Sequence, residues 1–219
     1  MAQKAKILLV DDHPLVREWL ATLINQQADL EICGETDSAP TALQMIGRVN
    51  PEIAIVDISM EGGSGLELIK DIKANYPNVM VIVLSMHDEA LYAERALRAG
   101  ARGYIMKREA TKNVLQAIRS VRGGKLHVSD KMAMMLAEKF VEGVPSKPVS
   151  LVEKLSDREL EVFHLLGRGY STRRIADELH VSFKTIQTFC ARIKEKLGLE
   201  TATELLLEAV RWHDNQQKN

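Results

Sequence analysis

The sequence predicts an α/β fold: a five-stranded, doubly wound parallel sheet, followed by a small all-α domain that contains a helix-turn-helix. Three observations predict it. Up to residue 125, short apolar runs alternate with stretches whose apolar residues recur three and four apart, the pattern of a parallel sheet covered on both faces. The runs are almost continuously apolar, as doubly buried strands must be. From Leu155 onward the spacing is helical throughout.

The elements follow in order. Lys6–Val10 is the first strand and runs into two adjacent acids, Asp11 and Asp12; Pro14 stands where a helix begins, carrying Leu15, Leu20, Leu23 and Ile24. Leu30–Gly34, Ile53–Asp57, Val79–Leu84 and Gly103–Met106 are the remaining strands. Pro51 and Pro77 stop the helices that precede strands three and four. Leu91, Ala96 and Leu97 mark the helix before the fifth strand, and Val114, Leu115, Ile118 and Val121 the helix after it, which Gly123-Gly124 ends. Ser129 caps a Met-rich helix to Val141. "GVPSKPVS" (Gly143–Ser150) has the proline, glycine and serine content of a linker. We therefore assign 1–125 to the first domain, 126–150 to a connector helix and linker, and 151–219 to the second domain. There, Ser156 and Glu159 form a capping box that opens a helix to about Gly167. Ser171 caps a helix to about Leu179 and Ser182 one to about Leu197, stopped by Gly198. Thr201 and Glu204 form a second capping box, opening a last helix to about Trp212.

Composition narrows the function classes. The 46% hydrophobic and 27% charged residues are ordinary for a globular protein and do not suggest disorder or low complexity. No apolar run approaches the roughly 18 residues of a membrane span, and the N-terminus lacks the features of a secretory signal, so no membrane partner and a cytoplasmic location are expected. Cys33 and Cys190, far apart, read as free thiols. The net charge of −1 is uninformative, but Arg168–Lys196 carries seven basic residues against three acidic ones, a candidate electrostatic footprint.

In an open parallel sheet, chemistry gathers at the carboxyl ends of the strands. Asp11 and Asp12 end the first run, Asp57 the third, Ser85 the fourth and Lys107 the fifth. Three carboxylates beside one lysine repel one another unless a cation joins them. Magnesium (Mg2+), a hard ion that takes oxygen ligands, answers that need. Asp57 is then placed to act as a nucleophile toward a phosphoryl group, with Lys107 and the ion neutralising its oxygens and Ser85 donating a hydrogen bond to the product.

On the helix Ser182–Leu197, Ile186, Phe189, Cys190, Ile193 and Leu197 form one apolar stripe. The opposite face carries Lys184, Thr188, Ala191, Arg192 and Glu195, with Gln187 at its margin, the small and polar residues a major-groove helix needs. Arg173 and Arg174 stand near the start of the preceding helix, where a backbone phosphate is expected. The set of expected contacts to double-stranded DNA is Arg173, Arg174, Lys184, Thr185, Gln187, Thr188, Ala191, Arg192 and Lys196. Leu205, Leu206, Ala209 and Val210 are expected to form a dimer face on the last helix.

The motifs "VDDH", "IVDISMEGGSG", "VLSMHDE" and "GYIMK" resemble the receiver domain of two-component response regulators over residues 5–122. The whole chain resembles the NarL/FixJ type, with a LuxR-type helix-turn-helix at 151–212. That resemblance implies a flavodoxin-like receiver and phosphoryl transfer from a sensor histidine kinase to Asp57. It further implies Asp12 as a direct metal ligand, Asp11 mostly through water, and the Ser59 carbonyl as another ligand. It implies a Ser85–Tyr104 switch in which the hydroxyl moves to the phosphoryl group and the ring turns inward, with Ser59 and His87 tuning phosphoryl loss. It implies a homodimer when phosphorylated or DNA-bound, and no turnover beyond self-phosphorylation and slow self-dephosphorylation. The sequence departs from the family's frequent pattern at Met60-Glu61-Gly62, at Arg108 in place of a proline, and at Gln187, Phe189 and Cys190. Two other classes share these features in part: a phosphohydrolase working through a phosphoaspartate, and an adaptor whose helical domain contacts protein.

Overall fold

The computed structural model describes residues 4–60, 63–86, 89–141 and 151–217. The chain divides into two compact units, Met1–Val141 and Glu142–Asn219. None of the described helices is long and apolar enough to cross a membrane.

In the first unit, β1 (Ala5–Val10), β2 (Leu30–Thr36), β3 (Ile53–Val56), β6 (Met80–Ser85) and β7 (Gly103–Met106) form one sheet in the order β2-β1-β3-β6-β7, with every neighbouring pair parallel. β4 (Ser59–Met60) and β5 (Gly63–Ser64) make a separate antiparallel pair that periodicity does not foretell, since two residues carry no period. The expected doubly wound sheet is what forms. Leu9 sits opposite Ile55, and Ile55 opposite Ile82. These residues bury with Leu84 and Ile105 against Leu20 and Ile24 of α1 (Pro14–Asn25) and Val114, Ile118 and Val121 of α5 (Ala110–Arg122). The alternate residues, Leu8 and Val10 among them, face the other side. There a side chain at Gly34 of β2 would strike both Leu8 and Met45 of α2 (Ala39–Val49). α3 (Gly65–Asn75) and α4 (Glu89–Ala99) pack on each other and complete the set.

The Met-rich helix α6 (Asp130–Val141) belongs to the first unit, whereas the sequence groups it with a connector. Its starting segment lies along the outer edge of β7: the Tyr104 N–H donates to the His127 carbonyl at 2.8 Å, and the His127 N–H to the Arg102 carbonyl at 2.9 Å. That pairing covers a sheet edge that would otherwise offer bare N–H and C=O groups. The Ser129 hydroxyl caps α6 by accepting from the Met132 N–H, and Met132 is buried. An apolar side chain with somewhere local to pack is a poor spacer, which is why this helix joins the sheet domain. The linker Gly143–Ser150 lies outside the described residues.

The second unit opens with a 3-10 turn, Leu151–Lys154, and continues as α7 (Asp157–Gly167), α8 (Thr172–Glu178), α9 (Phe183–Leu197) and α10 (Ala202–Gln217). The Ser156–Glu159 capping box forms in both directions. The Ser171 and Ser182 hydroxyls accept from the Arg174 and Thr185 N–H groups. The second box forms as well, Glu204 N–H to the Thr201 hydroxyl at 3.1 Å. Gly198, at φ +69, turns the chain out of α9. Phe163, Ile175, Ile186, Ile193, Leu205 and Ala209 make the core. Leu205 and Ala209 therefore face inward rather than forming a dimer face; Leu206 and Leu207 are exposed and Val210 is half-buried. The cause is the α7–α10 contact, where a Cβ at Gly167 would lie 2.5 Å from the Ala209 carbonyl oxygen.

Candidate functional site

The order β2-β1-β3 reverses direction at β1, and in such sheets the crevice at the strands' carboxyl ends is the place for a ligand. Asp11 and Asp57 stand there, one residue past their strands. The backbone ladder holds both: the Asp11 N–H donates to the Thr36 carbonyl at 3.1 Å, and the Asp57 N–H to the Val10 carbonyl at 2.8 Å. Arg17 of α1 donates to the Asp11 carbonyl. Gly65 lies so close under Asp57 that a Cβ there would be 2.0 Å from the Asp57 carbonyl oxygen.

Side chains from three distant segments meet at this rim. Lys107 Nζ is 2.7 Å from Asp57 Oδ2 and 2.7 Å from Asp11 Oδ2. The Ser59 N–H donates to Asp57 Oδ1 at 3.1 Å. Oxygens of Asp11, Asp12 and Asp57 and a ring nitrogen of His13 all lie within 4.8 Å of one another. His13 Nδ1 is 2.7 Å from Asp12 Oδ1 and 3.2 Å from Asp11 Oδ1. Burial pushes the Asp57 carboxyl up to about 6; Lys107 and the Ser59 N–H pull it down, and Asp11 adds to the rise. Burial works to lower Lys107, but the Asp57 and Asp11 carboxylates outweigh it and hold the ammonium above its ordinary value. The lysine thus stays charged while the acids stay crowded. A donor set of three carboxylates with oxygens this close suits a hard divalent cation.

In the second unit, α8 and α9 make the helix-turn-helix. Lys184, Gln187, Thr188, Ala191, Arg192 and Glu195 of α9 are exposed, while Phe189 and Cys190 are half-buried beside the buried Ile186 and Ile193. Arg173 and Arg174 of α8 are exposed.

Residues 7–119 match the response regulator receiver domain, and residues 153–209 the bacterial regulatory proteins of the luxR family. The chain belongs to the response regulators. Its receiver and LuxR-type helix-turn-helix are those of the NarL/FixJ type, a family of transcription factors rather than conventional enzymes. The oxygen regulatory protein NreC of Staphylococcus aureus is 33% identical over 210 residues, covering 94% of this chain and 97% of that protein. A solved structure of the Salmonella typhimurium response regulator RcsB, described for its conformational dynamism in DNA interaction, is 25% identical with a TM-score of 0.65, over 96% of this chain and 98% of RcsB. RcsB has also been solved in complex with DNA. A LuxR-family response regulator from Aurantimonas is 30% identical over 64% of this chain and 99% of its own, with a TM-score of 0.58.

The rim of this response regulator brings Asp11, Asp12, Asp57, Ser59 and Lys107 together. Ser85 ends β6 fully buried, and Tyr104 is only 2% exposed, so its ring already points inward. Tyr104 pairs with Val83 in register, which puts its side chain on the face that also carries Ser85. His87 lies outside the described residues. Among the described residues every peptide bond is trans, and Lys107 reaches the acids with Arg108 behind it. Two expected DNA contacts are engaged within the fold. Lys196 Nζ lies 2.6 Å from Glu159 Oε2, a buried carboxylate; burial raises Glu159, but Lys196 and the Ser156 groups outweigh it and hold it below its ordinary value. The Thr185 hydroxyl is 2.8 Å from that of Ser182. Reading the cations of α9 as one solvated row hides Lys196, because its partner lies 37 residues earlier. His13 was not expected at the rim, although its place directly after two acids in "VDDH" is a usable signal.

Proposed function

We propose that this response regulator takes a phosphoryl group on Asp57 from a sensor histidine kinase and, in that state, changes its dimerisation and its sequence-specific binding of double-stranded DNA. The observation that carries the reading is the buried Asp57 carboxylate, 2.7 Å from Lys107 Nζ and flanked by Asp11 and Asp12.

An Asp57 oxygen attacks phosphorus while the bond to the donor, a kinase phosphohistidine or a small acyl phosphate, breaks and its electron pair leaves with the donor. Lys107 stays with Asp57 and meets the charge on the phosphoryl oxygens. Asp11, Asp12 and Asp57, with the Ser59 carbonyl, would hold Mg2+. When bound, that ion supplies positive charge that neutralises the acids and the incoming oxygens. The Ser85 hydroxyl donates to the product, and its movement with Tyr104 is the switch; Ser59 and His87 tune loss of the phosphoryl group. Self-phosphorylation from small donors and slow self-dephosphorylation are then the whole of the chemistry. In the second unit, Lys184, Gln187, Thr188, Ala191 and Arg192 meet the major groove, with Thr185 beside them and Arg173 and Arg174 toward phosphates, while Lys196 stays with Glu159. RcsB in its DNA complex is the supporting precedent, and two RcsB dimers have been seen on two DNAs, which supports a homodimer here. The protein works in the cytoplasm, where DNA and kinase output meet.

Intact-mass measurement after incubation with acetyl phosphate and Mg2+ tests the first step. One phosphoryl adduct is expected on the parent and none on Asp57→Asn; an adduct of equal yield on the variant overturns the assignment.

A further inference from the structure

Two guanidinium groups meet one aromatic ring in the turn between α7 and α8. Arg168 Cζ lies 4.9 Å, and Arg174 Cζ 3.8 Å, from the Tyr170 ring centroid. The ring is not a loosely held surface side chain. Gly169 takes φ +80, its N–H returns to the Leu166 carbonyl at 2.9 Å, and the Tyr170 N–H returns to the Leu165 carbonyl at 3.1 Å. This is the double closure of a helix end, and it fixes the backbone of Tyr170 to α7. Arg174 is fixed from the other side, its N–H donating to the Ser171 hydroxyl at 3.3 Å. Among the described residues of this unit, Arg158, Lys196 and Arg211 stand in ion pairs, and none is formed by Arg168 or Arg174.

Like charges gathered at one ring repel, and the negative face of the ring offsets only part of that repulsion. The remainder calls for an anion, and paired guanidinium forks match phosphate oxygens in shape as well as charge. In a helix-turn-helix the first helix crosses the DNA backbone while the second enters the groove, so the turn leading into α8 lies where phosphates pass.

We propose that Arg168 and Arg174, gathered by Tyr170, form a clamp on the DNA backbone, each guanidinium meeting a phosphate, with Tyr170 as the positioning residue. The proposal rests on the reading that this unit binds DNA. It adds a contact, Arg168, and a cause for the posture of Arg174. Tyr170 carries no charge, so its effect comes through the arginines alone.

Full-length protein is titrated by fluorescence anisotropy against a labelled random duplex of about 30 base pairs, roughly three helical turns, at several salt concentrations. Tyr170→Leu, which leaves the net charge unchanged, is expected to weaken binding about five-fold, the scale of exposed cation–π contacts. Tyr170→Phe keeps the ring and is expected to match the parent. Arg168→Gln is expected to reduce the slope of log affinity against log salt by about 0.9, one phosphate contact; Arg211→Gln, the same charge lost elsewhere on the unit, is expected to leave the slope unchanged. In an Arg168→Gln, Arg174→Gln background, Tyr170→Leu is expected to have no further effect. Parent-like affinity for Tyr170→Leu, or an unchanged slope for Arg168→Gln, overturns the clamp while DNA binding stands. Should Tyr170→Leu melt early, the Arg168 slope still decides. Failure of the parent to bind the duplex at any salt overturns the DNA reading and the clamp with it.

Discussion

Asp57 is held at odds with its own charge. Its carboxyl titrates at about 6 in the fold against 3.8 ordinarily, with burial as the main cause. A carboxyl raised in the folded state binds its proton more tightly there than in the unfolded chain, so its contribution favours folding at low pH and is lost as pH rises from about 4 through about 6. The shift corresponds to ~3 kcal/mol at 1.36 kcal/mol per pH unit. Urea unfolding of the metal-free protein, compared with Asp57→Asn at each pH, is expected to show the parent losing on the order of 1–3 kcal/mol relative to the variant between pH 4 and 7. A constant difference across that range would mean that Lys107 cancels the burial. Mg2+ is expected to relieve the same crowding. At ten times its dissociation constant it is expected to stabilise the parent by about 1.4 kcal/mol, read as a rise in melting temperature, and to leave Asp12→Asn almost unmoved. An equal rise in both would place the ion elsewhere. The rim acids and the lysine were legible because each directly follows an apolar strand. Arg17 was not, since nothing in the start of a helix says that a side chain folds back over the strand before it, and the one sign of His13 was its place directly after the two acids.

At the scale of elements, Gly65 ties the start of α3 to the site. A Cβ there would stand 2.0 Å from the Asp57 carbonyl oxygen and 2.7 Å from Ile58 Cα, both backbone atoms that cannot swing aside. Gly65→Ala is therefore expected to cost about 1–3 kcal/mol and to slow phosphorylation from acetyl phosphate; a variant with parent stability and rate would show that the loop yields freely. On α10 the two sides of the helix separate cleanly. Leu205→Ala is expected to cost about 2–5 kcal/mol in urea unfolding, and Leu206→Glu less than about 0.5 kcal/mol. Comparable losses would mean that Leu206 too is core. Four of the five strands were legible to within about a residue, since a doubly buried strand is an unbroken apolar run; β2, an edge strand with acids, a glycine and mostly half-buried side chains, runs on to Thr36, past its expected end at Gly34. The faces of α10 were not, because an i, i+4 stripe looks the same whether α7 or a second copy covers it. Nor was the place of α6: a Met-rich helix after a double glycine reads as a spacer until the edge of β7 and the Ser129–Glu89 hydrogen bond, 2.8 Å, draw it onto the sheet.

For the whole molecule, the fold puts a titratable, cation-hungry rim in one unit and a polar reading helix in the other, with Ser85 and Tyr104 buried on one face of the sheet between the rim and the segment at His127. The domain pair was legible from the change of period toward the second unit, and the meeting of the acids with the lysine from the ends of the strands. The operator was not, because it depends on how Gln187 and its neighbours meet base edges, which a strand-and-helix pattern does not encode. Switching is the claim on which the molecule's purpose turns. The most direct measurement is the affinity of the full-length protein for a genomic operator fragment, selected with the Asp57-phosphorylated protein, with and without beryllium fluoride and Mg2+. Tighter binding with the phosphoryl mimic, by roughly ten-fold or more, as a coupling of 1–3 kcal/mol allows, and no change in Asp57→Asn, is the predicted result. Equal affinity in both states of the parent would contradict it.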